Sequence, residues 1–221
     1  MSASVREICR GVLSEVDEAA IDAIRRNASA VNEEFKFRWR PLEMALARGR
    51  SAAVVRALLE AGASLSAPDH YSNAEGMTII DAALHRCPWP DEGTDWLEKL
   101  LDAGMPADFR LDRGITLLMW AAISDLGVLK LLIDRGADLN ARSEFGWTAL
   151  MFAAELDGWH GDHDAFLEIP RLLLGAGADP WVRCEKGKTA LDWTDWYEWN
   201  DEMAEKVRVM LRAAMARRAE R

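Results

Sequence analysis

The sequence is poor in the residues that disulfide frameworks, metal centres and hydrolytic sites require. It contains three cysteines and four histidines, and no two cysteines have Cys-x-x-Cys spacing. An odd number of widely separated cysteines argues against a disulfide framework and favours a reducing compartment. A Gly-x-Ser-x-Gly elbow, a phosphate-binding glycine-rich loop and a His-Glu-x-x-His motif are also missing. We therefore expect no catalytic residues, no cofactor and no enzymatic activity.

Long apolar runs and a surplus of positive charge are missing as well. No apolar stretch approaches the roughly 18 residues of a membrane span, and residues 1–13 lack the basic and apolar segments of a signal peptide. The formal net charge of the chain is −10, whereas nucleic-acid binding needs clustered Lys and Arg. The sequence thus predicts a cytoplasmic protein whose partner is neither a nucleic acid nor a membrane.

Two short markers recur along the chain. A glycine follows three residues after a pair of aliphatic residues at Gly62, Gly104, Gly136 and Gly177. A Gly-x-Thr triplet then begins at Gly76, Gly114, Gly146 and Gly187. In the last three cases the two glycines are ten residues apart, and in the first case they are 14 apart. This fixed interval indicates internal repeats, a feature that decides the fold.

Each marker has a physical role in a pair of short helices. The Thr of Gly-x-Thr is a predicted helix N-cap, and Thr189 also has Asp192 three residues later, which approximates a capping box. The first repeat has Arg40 at the Thr position and loses this cap, but Pro41 is suited to the first helical position. The glycine after the aliphatic pair is predicted to end the second helix in the left-handed conformation. Because helices this short are unstable alone, the pairs must stack.

This pattern resembles the ankyrin-repeat family. The segments GITLLMWAA (114–122) and GWTALMFAA (146–154) are similar to the family's Gly-x-Thr-Pro-Leu-His-x-Ala-Ala box. The segment LLIDRGADLNAR (131–142) is similar to its Leu-Leu-x-x-Gly-Ala-Asp-x-Asn ending, although the family's histidine is absent from every repeat. The resemblance implies an all-α ankyrin-repeat solenoid of stacked helix–turn–helix units that forms a single domain over residues 1–221.

The repeat spacing predicts the segments of this domain. Capping helices are expected within 1–34, the first over 5–13 and the second over 19–26, ending on a left-handed Asn27. Further boundaries are predicted for the repeats at 35–67, 68–109, 110–142 and 143–183 and for a C-terminal capping repeat at 184–221. Two insertions, 86–94 and 156–170, lie between paired helices. Each is either part of a binding face or a tolerated surface loop.

The second insertion contains the one local cluster of metal-binding residue types. His160, Asp162 and His163 are close in sequence, and imidazole and carboxylate groups can ligate a divalent cation such as Zn²⁺. They are weak candidates, because the cluster belongs to one short loop and has no distant ligand. A polar surface loop is the favoured interpretation, and no metal is expected.

The candidate partner-binding residues occupy positions that the ankyrin family leaves variable. The resemblance places these positions on the concave groove and the connector tips, and they include the aromatic and arginine types that are enriched in interface hot spots. Several aromatics among them have no evident packing role, although packing of a long C-terminal helix would explain Trp196. The predicted contact residues are Arg86, Arg113, Ile115, Ile123, Glu144, Phe145, Trp147, Leu156, Trp196 and Tyr197.

The sequence therefore predicts a non-enzymatic protein–protein interaction module, monomeric on its own, whose partner is another protein of basic or mixed charge. Its small size and acidity resemble the acidic ankyrin immunity proteins of bacterial toxin systems, which implies an inhibitor that neutralises its partner by occlusion. The alternatives are a general cytoplasmic scaffold or adaptor, a metal-binding protein that uses the 157–168 loop, and self-association through the same aromatics.

Overall fold

The computed structural model describes residues 2–14, 16–35, 40–65, 94–123, 125–155, 163–194 and 201–219. In these ranges the chain is helical, without strands, and has one isolated β-bridge between Arg110 and Thr116. No helix in the described ranges has the length and apolar character needed to cross a membrane. The chain divides into two compact units, Met1–Pro106 and Ala107–Arg221.

The described residues of the first unit include five helices. α1 packs on α2 and α3, while α4 packs on α2, α3 and α5. The side chain of Asp17, the first residue of α2, accepts hydrogen bonds from Arg50 and Ser51, which precede α4. These bonds tie one helix pair to the next. The helices are α1 Ala3–Leu13, α2 Asp17–Arg26, α3 Pro41–Ala47, α4 Ala52–Glu60 and α5 Asp95–Asp102.

Three details at the start of the chain differ from the sequence prediction. Both capping helices begin two residues earlier than predicted, and Ser2 caps the first of them by accepting a hydrogen bond from the Val5 amide at 3.2 Å. Asn27 is not left-handed, since its φ is −125°. Its side-chain amide instead donates to the Ala23 carbonyl at 2.9 Å, which satisfies a carbonyl at the helix end.

The sequence predicted that Arg40 would lose the N-cap of α3, but one of the hydrogen bonds of a capping box is present there. Its backbone amide donates to the Glu43 carboxylate at 2.8 Å, as in a capping box. Its guanidinium also donates to the other oxygen of the same carboxylate, at 3.2 and 3.1 Å. Pro41 is the first residue of α3, which confirms its predicted role.

The second unit shows the stacking of helix pairs most plainly. The first helices of successive pairs, α6, α8 and α10, pack on one another, and so do the second helices α7, α9 and α11. Buried leucines from both layers, including Leu118, Leu129, Leu150 and Leu173, form the core. The helices are α6 Leu117–Ala121, α7 Leu126–Asp134, α8 Ala149–Ala154, α9 His163–Ala176, α10 Ala190–Trp193 and α11 Asp201–Ala219.

The predicted helix starts and ends are largely confirmed. Thr116 accepts a hydrogen bond from the Met119 amide at 3.3 Å, and the Asp192 carboxylate accepts one from the Thr189 amide at 2.7 Å. Thr148 precedes α8 but makes no side-chain capping bond. The glycines predicted to end the second helices have positive φ angles of 88°, 106°, 79° and 108° at Gly62, Gly104, Gly136 and Gly177.

The second insertion is partly helical rather than a loop throughout. α9 begins at His163 and runs through Pro170, so the last eight residues of the predicted loop extend the second helix of this repeat toward its N-terminus. The buried side chains of Ile169 and Leu173, four residues apart, lie on one face of this helix. Residues 156–162 and most of the first insertion, 86–93, lie outside the described residues.

Candidate functional site at the connector tips

The connectors of the second unit share one tight-turn geometry. The amides of Leu111, Ser143 and Cys184 each donate to the carbonyl four residues later, at 2.7, 2.9 and 2.9 Å. Each turn has positive φ at the glycine of its Gly-x-Thr triplet, a conformation that an L side chain adopts only with strain. The φ angles are 69°, 73° and 72° at Gly114, Gly146 and Gly187, and in the first turn Arg113 also has a positive φ of 54°.

Neighbouring connectors are joined at their tips by backbone hydrogen bonds. The Glu144 amide donates to the Arg113 carbonyl at 3.0 Å, and the Glu185 amide donates to the Phe145 carbonyl at 3.1 Å. The three tips therefore form a continuous row. Exposed side chains on this row are those of Arg113, Glu144, Phe145, Glu185 and Lys186, and these five residues are called the tip surface below.

A ladder of arginines fixes the same connectors from the side. Arg110 donates to the Gly114 carbonyl of its own turn at 2.8 Å and to the Arg142 carbonyl of the next connector at 2.9 Å. Arg142 repeats the longer-range bond to the Arg183 carbonyl at 2.9 Å. Arg183 in turn donates to its own turn at Gly187, at 2.6 Å. This ladder was not predicted from the sequence, although each of these arginines stands four residues before a Gly-x-Thr triplet.

Short polar side chains form a second ladder near the ends of the second helices. The Asp108 carboxylate accepts a hydrogen bond from the Asp138 amide at 2.6 Å, and the Asn140 side chain accepts one from the Asp179 amide at 2.7 Å. Each bond joins one repeat to the next. The Asp and Asn of the Gly-Ala-Asp-x-Asn segment thus have a structural role, and the connectors are held rigid before any partner binds.

Three of the predicted contact residues lie together on the tip surface. Arg113, Glu144 and Phe145 are exposed, and the Phe145 side chain keeps 51% of its surface accessible. Ile115 and Ile123 are half-buried. The remaining predicted residues other than Trp147 lie outside the described ranges: Arg86, Leu156, Trp196 and Tyr197.

Trp147 has a packing role that the sequence did not reveal. Its ring lies 5.0 Å from that of Phe152 and 4.4 Å from that of Trp193, measured between centroids, and both pairs are tilted. Such pairs add to the stability gained from area burial alone. Trp147 is half-buried, so its aromatic character is explained without a partner, and contact with a partner stays a prediction.

The last connector adds cationic groups and one perturbed carboxylate beside these aromatics. The ammonium groups of Lys188 and Lys186 lie 4.6 and 5.7 Å from the Trp193 ring centroid, within cation–π range. The hydrogen bond from the Thr189 amide lowers the pKa of Asp192, with further contributions from the Thr189 hydroxyl, Arg183 and Lys188 that outweigh partial desolvation. The last connector therefore carries charges of both signs.

The weak metal candidates fall largely outside the described residues. His160 and Asp162 are not described, and His163 is the first residue of α9. Glu168, which belongs to the same segment, forms an ion pair with Arg171 at 2.9 Å. In the part of the chain that the structure describes, no three His, Cys, Asp or Glu side chains are grouped closely enough to bind a metal.

Comparisons with known proteins agree with this geometry. The family described as ankyrin repeats in three copies matches residues 90–184. The chain is 38% identical over 104 residues to rat (Rattus norvegicus) ankyrin repeat and SAM domain-containing protein 6, and 31% identical over 118 residues to human (Homo sapiens) ankyrin repeat, SAM and basic leucine zipper domain-containing protein 1. These alignments cover 46% and 53% of this chain but only 11% and 22% of the relatives.

The fold is also similar to that of a solved structure over nearly its whole length. The crystal structure of EF0377, an ankyrin repeat protein, superposes with a TM-score of 0.60 at 20% sequence identity, covering 96% of this chain and 98% of the other. Together with the stacked helix pairs, these matches define the class as an all-α ankyrin-repeat solenoid. Residues 90–184 match the ankyrin-repeat family, and the whole chain is similar in fold to an ankyrin-repeat protein. Ankyrin repeats are protein–protein interaction modules, typically without enzymatic activity.

Proposed function

We propose that this chain binds one partner protein through the tip surface, with Phe145 as the central contact and no chemistry of its own. The single observation that carries the proposal is the exposure of this phenylalanine, 51%, on a turn bonded to its neighbours. A large apolar side chain that is exposed on a rigid frame is typical of a binding hot spot. Rigidity matters because little conformational entropy is then lost on binding.

The expected contribution of Phe145 follows from its exposed area. A phenylalanine presents about 200 Å² in total, so covering the exposed half removes about 100 Å² from water, worth about 2.5 kcal/mol. Truncation to alanine leaves part of that area in place. We expect Phe145→Ala to weaken partner binding by about 2 kcal/mol, which corresponds to about 30-fold in Kd.

The charged members of the tip surface suggest what kind of partner fits. Arg113 and Lys186 are positive, while Glu144 and Glu185 are negative, and all four are exposed. Exposed charges contribute little to affinity but set orientation and association rate. We therefore infer a partner surface of mixed charge with an apolar pocket for Phe145. The sequence predicted a partner of basic or mixed charge, and this inference takes the second of those alternatives.

Inhibition by occlusion is the finer form of this proposal. A preorganised surface without a catalytic group can inhibit a partner by covering its active surface, as the resemblance to small acidic ankyrin immunity proteins implies. A general scaffold is the competing role. The two differ in stoichiometry and effect: an inhibitor abolishes the partner's activity in a binary complex, whereas a scaffold leaves it active and adds a third component.

The test uses two exposed aromatics as a matched pair. Phe145 and Trp181 have similar exposure, 51% and 47%, but Trp181 lies five residues beyond the end of α9, before the last connector turn, and is not one of the five residues of the tip surface. Tagged wild-type chain, Phe145→Ala and Trp181→Ala are used to capture partners from lysate of the source cell, with quantitative mass spectrometry as the readout. We expect one partner to be recovered with the wild type and Trp181→Ala and to be strongly depleted with Phe145→Ala. Equal recovery with all three baits would refute the tip surface as the binding site.

A further inference from the structure

A long apolar groove runs between α9 and α11 on the side of the second helices. It consists of two hollows, of about 690 and 990 Å³, which share Arg171, Val209 and Met210 as lining residues and are therefore continuous. Its lining on α11 extends from Glu202 to Arg217. At a rise of 1.5 Å per residue this span is about 22 Å, or four helical turns.

The floor of the groove is apolar and open to solvent. Val209 keeps 55% of its surface exposed, the highest value among the large hydrophobic side chains that the structure describes in the second unit. The wider hollow is further lined by Leu174, Met210, Ala213 and Ala214. Leucine and methionine supply apolar area, and the alanines allow another backbone to approach closely. An exposed apolar strip of this length indicates a surface that another element covers.

The charges along the groove define the complementary chemistry. The narrower hollow is lined by charges of both signs, Glu202, Glu205, Lys206 and Arg171. The wider hollow is lined by two charged side chains, Arg171 and Arg217, and by no carboxylate. Arg171 is paired with Glu168 at 2.9 Å, whereas no carboxylate of the described residues lies within 4.0 Å of the Arg217 guanidinium, whose Nε donates to the Ala213 carbonyl. In a chain of net charge −10, this local positive charge favours a carboxylate on the occupant.

The groove walls also restrict the backbone of the occupant. The walls are the helices α9 and α11, with the connector residues Gly177, Ala178 and Pro180 at one end of the wider hollow. No strand lies in this lining, so an extended peptide would find no strand edge with which to pair. A helix satisfies its own backbone and needs only an apolar face. We propose that this groove binds an amphipathic helix of a partner, with glutamate or aspartate beside its apolar stripe where it meets Arg217. This second surface is separate from the tip surface and does not depend on it.

Gly175 offers a way to block the groove without disturbing the fold. It lies in α9 and lines the wider hollow. A Cβ added there meets no described atom within 4 Å, so there is room for a larger side chain beside the groove. Replacing a helical glycine also favours the helix. Gly175→Trp should therefore fill the groove in a folded protein, while Gly175→Ala adds only a methyl group and is its control.

The probe is a designed 18-residue helical peptide with a leucine stripe flanked by glutamates, labelled for fluorescence anisotropy. A counterpart carries lysine in place of every glutamate. We expect the glutamate peptide to bind at least about tenfold more tightly than the lysine peptide. We expect Gly175→Trp to weaken its binding by about tenfold or more and Gly175→Ala by less than about twofold. Arg217→Glu should abolish the preference for glutamate, whereas Lys130→Glu, an equal charge change at an exposed position of α7, should preserve it.

Three outcomes would overturn the proposal. The first is no saturable binding of the glutamate peptide up to about 1 mM. The second is binding without the predicted specificity, meaning that both peptides bind equally or that Gly175→Trp leaves binding intact while circular dichroism shows a native fold. The third is a concentration-dependent mass in light scattering that Gly175→Trp abolishes, because a second copy of the chain would then be the occupant. Phe145→Ala should leave peptide binding unchanged, so this result is independent of the tip-surface experiment.

Discussion

The stacking of the connector turns makes a graded prediction for three glycines with nearly the same backbone. Gly114, Gly146 and Gly187 have φ of 69°, 73° and 72°, so alanine at each incurs the same left-handed strain, about 1–2 kcal/mol. Reduced freedom of the unfolded chain offsets about 0.4–1 kcal/mol of it. At Gly187 an added Cβ meets no described atom within 4 Å. Gly187→Ala should therefore cost about 0.5–1 kcal/mol in unfolding free energy.

Gly146 differs because the next connector lies against it. An added Cβ there would be 3.0 Å from the Glu185 nitrogen and 3.1 Å from the Cys184 Cα, both backbone atoms, and 2.7 Å from the Arg142 guanidinium. The connector must shift, and overpacking of this kind costs about 1–3 kcal/mol. Displacing Arg142 from the Arg183 carbonyl adds about 0.5–1.5 kcal/mol. Gly146→Ala should thus be about 1.5–4.5 kcal/mol worse than Gly187→Ala. Each kcal/mol lowers the Tm of a chain of this length by about 2–4 °C.

Urea unfolding followed by far-UV circular dichroism, with thermal scans as a second measure, tests this order. Gly114→Ala should fall between the other two, since its Cβ would approach the Glu144 nitrogen at 3.3 Å. We expect Gly146→Ala to lower the unfolding free energy most, Gly114→Ala less and Gly187→Ala least. Equal destabilisation by all three variants would show that the connectors are not packed against each other, and the rigid tip surface would lose its physical basis.

Three further predictions concern single side chains. The pKa of Asp192 is lowered chiefly by the hydrogen bond from the Thr189 amide. The wild type should therefore be more stable than Asp192→Asn above about pH 4 and should lose that advantage as the pH falls through the lowered pKa. Urea unfolding midpoints across this range check the prediction, and a stability difference that does not change with pH would contradict it. Burial raises the pKa of the Cys9 thiol to about 12, so iodoacetamide should modify Cys9 only after unfolding. Rapid labelling of Cys9 in the folded protein, detected by mass spectrometry, would argue against this burial. Trp147→Ala should cost about 2 kcal/mol, because a half-buried ring loses its contact with Trp193; a change below about 0.5 kcal/mol would mean that the ring does not support the fold.

The fold was largely predictable because its signals are local and repeated. A glycine that must end a helix and a threonine that caps the next one recur with fixed spacing, and they act through bonds within a few residues, as at Gly136 and Thr116. Asn27 shows the limit of this reasoning. Its left-handed conformation was only one way to satisfy the helix end, and the side-chain bond to Ala23 satisfies it instead.

The candidate site was less predictable because it depends on contacts between repeats. Phe145 and Trp147 look alike in sequence, but one projects from the turn and the other packs between Phe152 and Trp193. The arginine ladder from Arg110 onward was also missed, since its bonds span about one repeat and no local rule implies them. The extension of α9 across the second insertion likewise depends on burial against neighbouring helices.

The central claim is that Phe145 touches the partner, and site-specific photocrosslinking tests it most directly. The photoreactive residue p-benzoylphenylalanine is placed at position 145 in one variant and at position 181 in another, and each is expressed and irradiated in the source cell. We expect one discrete crosslinked product at position 145 and none at position 181. A product at position 181 alone, or no product at either position while the partner still co-purifies, would contradict it.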